Sequence, residues 1–256
     1  MIRPFLIAVQ FLTRLPVRLA TQSSDKDQGY SLLYYPLVGL IIGSILIGLG
    51  WLLNSTPPLV TTAILITFWI LLTGGLHLDG LADSADAWIG GMGNRIKTLA
   101  VMKDPNCGPA GVVAIVLIIL LKFTALHTLV VINEWITLLL SIIFSRTLIP
   151  LLFLTTPYVR SNGLGASLAA NQPHRWSFSI IVTVFLLTFL LTDIRYLLLT
   201  LTAIITFLFL RNLMYQRIGG TTGDTAGALV EITETAILLV SVITLDTNIY
   251  SLLGLQ

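Results

Sequence analysis

Pro109-Ala110-Gly111-Val112-Val113-Ala114-Ile115-Val116-Leu117-Ile118-Ile119-Leu120-Leu121-Lys122-Phe123-Thr124-Ala125-Leu126-His127-Thr128-Leu129-Val130-Val131-Ile132 carries one formal charge, Lys122, in its whole length. About 20 mostly apolar residues in a helix cross the hydrocarbon core of a bilayer. This stretch reads as such a span, and the rest of the chain agrees with it. Of 256 residues, 55% are hydrophobic and 10% charged, where soluble domains carry roughly 25% charged residues. Mean hydropathy is +0.93. A soluble core of this size cannot bury so much apolar surface. A soluble enzyme, a disordered tail, a coiled coil and a disulfide scaffold are therefore excluded. A net charge of +2 is too weak for a phosphate-binding surface, so no nucleic acid partner is expected. The single cysteine, Cys107, rules out an internal disulfide.

The same criterion gives seven predicted transmembrane helices: 32–53, 58–78, 109–132, 135–154, 177–192, 195–214 and 225–245. Residues 1–19 differ. Arg3, Arg14, Pro16 and Arg18 punctuate a run from Phe5 to Leu12 that is too short to span. It reads as an interfacial amphipathic helix rather than a cleaved signal, because no clean small-residue cleavage site follows. No repeat or long linker divides the chain, so residues 1–256 are expected to form one all-α membrane domain. Basic residues orient it. With a cytoplasmic N-terminus, the inner segments 1–31, 79–108, 155–176 and 215–224 hold ten of them, against Arg195 alone outside. Almost no mass lies outside, which argues against a receptor.

Acids are scarce, yet seven of the twelve fall in two regions on the predicted cytoplasmic side: Asp79, Asp83, Asp86 and Asp104, then Asp224, Glu231 and Glu234. Asp79, Asp83 and Asp86 stand at i, i+4 and i+7, one face of a helix. Three like charges there repel, which suits a cation; oxygen ligands used together with substrate phosphates suit Mg²⁺. A solvated polar helix end is the plainer alternative. The second region opens with Gly219-Gly220-Thr221-Thr222-Gly223-Asp224, where glycines admit a ligand close to the backbone and a helix start offers free N–H groups. Glu231 and Glu234 fall roughly 10–14 Å below the surface at 1.5 Å per residue, a depth at which a charge needs a partner or a function. Arg146, roughly 13 Å deep, is expected either to pair with one of them or to face substrate phosphate. Lys122, roughly 20 Å deep, is structural or functional with equal weight. Arg95 and Lys103 flank the acids and suit a polyphosphate. His77 is either a base or an interfacial hydrogen-bonded histidine.

Gly74-Gly75-Leu76-His77-Leu78-Asp79-Gly80-Leu81-Ala82-Asp83-Ser84-Ala85-Asp86 closely resembles the signature of the cobalamin synthase family, the adenosylcobinamide-GDP ribazoletransferases. So do Phe11-Leu12-Thr13-Arg14-Leu15-Pro16, Tyr35-Pro36-Leu37-Val38-Gly39 and Met102-Lys103-Asp104 with Gly108 and Gly111. Ser145-Arg146, Pro157-Tyr158 through Gly163-Leu164-Gly165, and Gly219 to Asp224 with Glu231 and Glu234 complete the match, in order over residues 11–234. The resemblance implies a transferase of cobalamin biosynthesis. It would join adenosylcobinamide-GDP to α-ribazole or its 5′-phosphate, giving adenosylcobalamin or its phosphate and GMP with Mg²⁺. It also implies the cytoplasmic (inner) membrane of a prokaryote, with the site facing the cytoplasm. One departure stands out: where the family usually has Ser-Arg after Lys103-Asp104, this chain has Pro105-Asn106, which removes one implied phosphate contact.

Residues and resemblance together assign Asp79, Asp83, Asp86, Asp224 and Glu231 to the metal. Arg95, Lys103, Asp104, Arg146, Gly220 and Gly223 are assigned to substrate, and Asp83 or His77 to the proton. The corrinoid is large, so a cavity open to the cytoplasm is expected, with membrane lipid around it; homo-oligomer formation stays open. Two rivals use the same acids. One is a CDP-alcohol-type phosphotransferase of lipid synthesis, which the acidic run distantly resembles. The other is a cation-coupled transporter, although transporter sites usually lie at mid-membrane between internal repeats.

Overall fold

The computed structural model describes residues 2–19, 23–161, 164–188, 190 and 193–245. Gly163 of the family match, the end of the predicted 177–192 span and the segment 246–256 lie outside the described residues. Among those described, the chain forms twelve α-helices and no strand. In order they are α1 (Ile2–Leu12), α2 (Asp25–Ser31), α3 (Tyr35–Leu52), α4 (Pro58–Thr73), α5 (Leu76–Gly90) and α6 (Arg95–Val101). There follow α7 (Pro109–Val131), α8 (Trp135–Thr155), α9 (Leu164–Ala170), α10 (His174–Thr188), α11 (Ile194–Ile218) and α12 (Gly223–Ile243).

By length and composition five helical stretches among the described residues can cross a bilayer: Asp25–Leu52, in which α2 runs through a 3₁₀ turn into α3, and then α7, α8, α11 and α12. The count becomes six if α4 and α5 are one broken span. Two of the seven predicted spans are thus shorter than the hydropathy suggests. The stretch 58–78 does not run straight. Gly74 and Gly75 both take left-handed φ, +65° and +67°, which glycine adopts without steric cost, and α5 leaves α4 at 85°. A side chain on Gly74 would also strike the guanidinium of Arg14. In the stretch 177–192 the described helix is α10, 15 residues from His174 to Thr188.

Local chemistry fixes the other ends. Pro58 and Pro109 sit in first turns, where the missing N–H costs nothing. Thr222 and Thr225 cap α12 reciprocally. Residues 2–12 form the expected short N-terminal helix, and Ala8, Val9 and Leu12 of α1 are buried in protein, so its apolar face meets α3 and the neighbouring core.

The bundle has two cores. One joins α1, α3, α4, α7, α8 and α12 through residues such as Tyr35, Ile42, Leu65, Leu126, Leu138 and Leu238. The other joins α8, α11 and α12 through Phe144, Leu148, Ala203, Phe207 and Ile237. Burial separates central from peripheral helices: 72% of the apolar window of α8 and 67% of that of α12 are buried, against 28% for α7 and α11. The outer faces of α7 and α11 expose Val113, Val116, Leu120, Ile205, Leu208 and Phe209, an apolar surface suited to lipid.

The helix that carries the first acids, α5, packs against α12 at contact distance. A Cβ on Gly80 would lie 2.7 Å from the Asp224 carbonyl oxygen, and one on Gly227 would lie 3.3 Å from the His77 backbone. Small residues therefore let two backbones meet where both acidic stretches begin. Gly80→Ala should cost about 1–3 kcal/mol, as overpacking does, and lower the Tm of the detergent-purified protein. An unchanged Tm would show that the helices part without penalty.

Candidate active site

The crossing of α5 and α12 brings Asp79 and Asp83 of α5 to Asp224 in the first turn of α12. Asp83 faces the charges of Asp79, Asp224 and Asp86, and of one cation, Arg160. Arg160 pairs with Asp224 through Nη2 at 2.7 Å, both side chains about one-fifth exposed. The same Nη2 donates to the Met102 carbonyl at 3.2 Å. The loop that carries Arg160 is held by the last helix: the Val159 N–H donates to the Thr221 carbonyl at 2.9 Å and the Thr221 N–H to the Pro157 carbonyl at 2.8 Å. Tyr158, on this loop, faces Gly223. Burial raises its phenol above the ordinary range, and a hydrogen bond with the Gly223 backbone partly offsets this. Beneath the acids is a cavity of about 130 Å³ lined by Tyr35, His77, Asp79, Phe153, Gly223 and Asp224. On the other flank of α5 a larger, mostly apolar groove of about 1060 Å³ runs past Leu81, Trp88, Val113, Leu213 and Ile232.

The structure distributes the other predicted site residues differently. Asp86, whose charge still reaches Asp83, caps a helix. It accepts the Gly108 N–H at 2.7 Å on one carboxylate oxygen and the Gly111 N–H at 2.9 Å on the other. These are free donors of the first turn of α7, and a carboxylate there also meets the positive end of the helix dipole. Gly220 packs its backbone under the Pro157 carbonyl, leaving no room for a Cβ. Gly223 borders the small cavity. Arg95 is exposed, with its guanidinium against Gly219. Lys103 is exposed. Asp104 accepts hydrogen bonds from the Asn106 backbone and side chain, which hold its carboxyl below the usual range. The Pro105-Asn106 departure thus builds a local turn.

Glu231 and Arg146 belong to a second, deeper cluster. Lys122 of α7 donates to Glu231 at 2.5 Å and also to Glu234. Arg146 of α8 pairs with Glu234 and donates to Ser145 Oγ at 2.9 Å. Ser145 in turn donates to Glu234 at 3.3 Å. The Trp69 ring lies 4.6 Å from the Lys122 ammonium. Two cations and two anions balance, all nearly inaccessible to solvent. The first expectation for Arg146, pairing with a buried glutamate, is what the structure shows. His77 lies between the two clusters: it lines the small cavity, faces Arg146 and Lys122, and leaves Nε2 buried without a hydrogen bond among the described residues.

Sequence reasoning misses three residues or leaves them undecided. Lys122 is left between a structural and a functional role by its depth alone, and the structure pairs it with Glu231 and Glu234. Arg160 enters only through the orientation of the chain, and Tyr158 only through the family match. The signal for both is their place in the Pro157-Tyr158 segment.

Among the described residues no three His, Cys, Asp or Glu side chains enclose a metal position. Asp79, Asp83 and Asp224 nonetheless crowd three carboxylates around one paired cation. Mg²⁺ keeps several waters and binds through one or two carboxylates plus substrate phosphates rather than in an all-protein cage. This set fits such an ion.

Two consequences are measurable. Asp86→Ala, which strips a cap from α7, should lower stability by about 0.5–2 kcal/mol, while Asp86→Asn keeps one acceptor and should lose less in thermal unfolding. Lys122→Met leaves two buried glutamates to Arg146 alone and should cost about 3–5 kcal/mol, read as a large drop in Tm that Lys122→Arg partly restores. A Lys122→Met protein as stable as the parent would mean that the glutamates are not held as buried charges.

Comparisons with known proteins give the family. The family described as Cobalamin-5-phosphate synthase matches residues 4–242. A Pseudomonas paraeruginosa protein named adenosylcobinamide-GDP ribazoletransferase is 50% identical over 241 residues, 93% of this chain and 97% of the relative. Proteins of the same name from Stutzerimonas stutzeri and Pseudomonas aeruginosa PAO1 are each 49% identical, covering 92% and 93% of this chain and 96% and 97% of their own. No solved structure matches the chain. With nearly its whole length matched, the chain belongs to the cobalamin-5-phosphate synthase family.

Proposed function

We propose that this chain is an adenosylcobinamide-GDP ribazoletransferase of the cytoplasmic membrane, acting at its cytoplasmic face. The observation that carries the reading is the contact of α5 and α12, which gathers Asp79, Asp83 and Asp224 beside Arg160, with Asp79, Asp224 and His77 on the wall of a small cavity. Phosphoryl transfer needs little covalent chemistry from the protein; positioning and charge do the rest.

The reaction exchanges one phosphorus–oxygen bond for another. A ribose hydroxyl of α-ribazole, other than the 5′-hydroxyl that is esterified in the 5′-phosphate acceptor, attacks the phosphorus attached to cobinamide, the bond to the GMP oxygen breaks, and GMP leaves with both bonding electrons. The hydroxyl proton goes to Asp83, which faces Asp79, Asp86, Asp224 and Arg160, with His77, on the wall of the small cavity, as the second acceptor. Asp79, Asp83 and Asp224 would hold Mg²⁺, which supplies a positive centre for the diphosphate oxygens. Arg95, exposed against Gly219, and Lys103, also exposed, would add positive charge for the phosphates. The cavity of about 130 Å³ is too small for a corrinoid, so the macrocycle stays outside it. The groove of about 1060 Å³ flanking α5 offers apolar surface of suitable size.

Purified protein should release GMP from adenosylcobinamide-GDP and α-ribazole only when Mg²⁺ is present. Asp79→Asn, Asp83→Asn and Asp224→Asn are nearly isosteric, and each should cut turnover by at least about a hundredfold while the protein still elutes as a folded species. Absence of metal-dependent GMP release, or transfer to a lipid alcohol instead, would overturn the assignment.

A further inference from the structure

Resting on the proposed function, we propose that Arg160 is the residue that grips the diphosphate of the nucleotide substrate, and that it shares Asp224 with the divalent cation by exchange. The cations nearest the chemistry sort themselves by contact. Arg146 and Lys122 are buried and held by Glu234 and Glu231. Arg95 and Lys103 are exposed. Arg160 alone of these five touches the acid cluster, through Asp224 at 2.7 Å.

Its side chain is also only partly used. Nη2 makes both polar contacts, to Asp224 and to the Met102 carbonyl, while Nε is buried and without a hydrogen bond among the described residues. A guanidinium presents its donors as a rigid planar fork that matches two phosphate oxygens. A buried donor left unmatched is costly, and a ligand that satisfies it recovers that cost. The backbone bridge between Val159 and Thr221 fixes the base of the fork beside the start of α12, so Arg160 needs only side-chain rotation to turn from Asp224 to a phosphate placed between them.

The ion pair carries a second consequence. A guanidinium that already neutralises Asp224 competes with any divalent cation for the same carboxylate. Arrival of the diphosphate draws Arg160 to the phosphate oxygens and releases Asp224 to the cation. Nucleotide and metal binding then reinforce each other, and neither completes the site alone.

The test uses the full chain in detergent, with Mn²⁺ as the metal probe read by electron paramagnetic resonance, alongside GMP-release kinetics. In Arg160→Gln, Mn²⁺ should bind the nucleotide-free protein several-fold more tightly. KM for adenosylcobinamide-GDP should rise about tenfold or more, the scale of a lost charge-assisted hydrogen bond, with KM for α-ribazole unchanged. Arg160→Lys keeps the charge without the fork; it should bind Mn²⁺ like the parent and recover only part of the nucleotide KM. Weaker Mn²⁺ binding in Arg160→Gln would mean that the residue merely holds the loop in place, and that outcome overturns the proposal, as does an unchanged nucleotide KM. The Mn²⁺ measurement needs no turnover. A parent protein that releases no GMP therefore defeats the proposed function while leaving the competition for Asp224 to be judged on its own.

Discussion

Everything at the site depends on how closely α5 can approach α12. At the crossing, Gly80 rests on the Asp224 backbone and Gly227 on that of His77. Ordinary side chains would hold the two helices apart and separate Asp79 and Asp83 from Asp224 by the same distance. The approach is possible because α5 does not continue α4: two left-handed glycines turn it by 85°. A straight helix through 58–78 would have carried its acids away from the bundle axis. The repulsion among these carboxylates is therefore imposed by backbone packing and offset in part by Arg160. Pre-organised charge of this kind is what a phosphoryl-transfer site requires.

The deeper ion cluster serves a different end. Exchanging a buried pair for apolar groups is often neutral in stability, whereas removing one partner is expensive. The four charges of Lys122, Arg146, Glu231 and Glu234 therefore act less as net stabilisation than as a lock on register. They join α7, α8 and α12 at one level, directly behind His77. A one-residue slip of any of these helices would rotate a charge by about 100° and strand it in an apolar core. The site in front inherits that precision.

Much of this was legible in the sequence. Long apolar runs mark α3, α7, α8, α11 and α12 nearly to their ends, because lipid demands about 20 apolar residues per crossing and tolerates few exceptions. The clustering of acids at 79–86 and at 224–234 marks both helices of the site. What was not legible depends on facts that no residue carries alone. The break at Gly74-Gly75 is visible as composition, but its 85° angle and the packing of Arg14 against Gly74 belong to the folded chain. The helical spacing of Asp79, Asp83 and Asp86 puts all three on one face, yet only tertiary packing shows that Asp86 meets the start of α7. Depth counted along each helix assumes that all helices start in one plane, and for that reason it does not reveal that Lys122 meets Glu231 and Glu234.

Charge in this chain thus falls into three kinds that sequence alone mixes together. Some basic residues only orient the protein across the bilayer. Four buried charges cancel in a register lock. A third group, Asp79, Asp83, Asp224 and Arg160, does not cancel: three acids meet one cation whose donors are not all used. That imbalance matches a ligand of mixed charge, a divalent cation together with a diphosphate. Neither component alone would suit the site, since a cation leaves the unmatched Arg160 donor unfilled and a diphosphate meets three like charges. A cluster built for structure would have been neutralised like the one behind it; leaving this one unbalanced is what makes it able to bind.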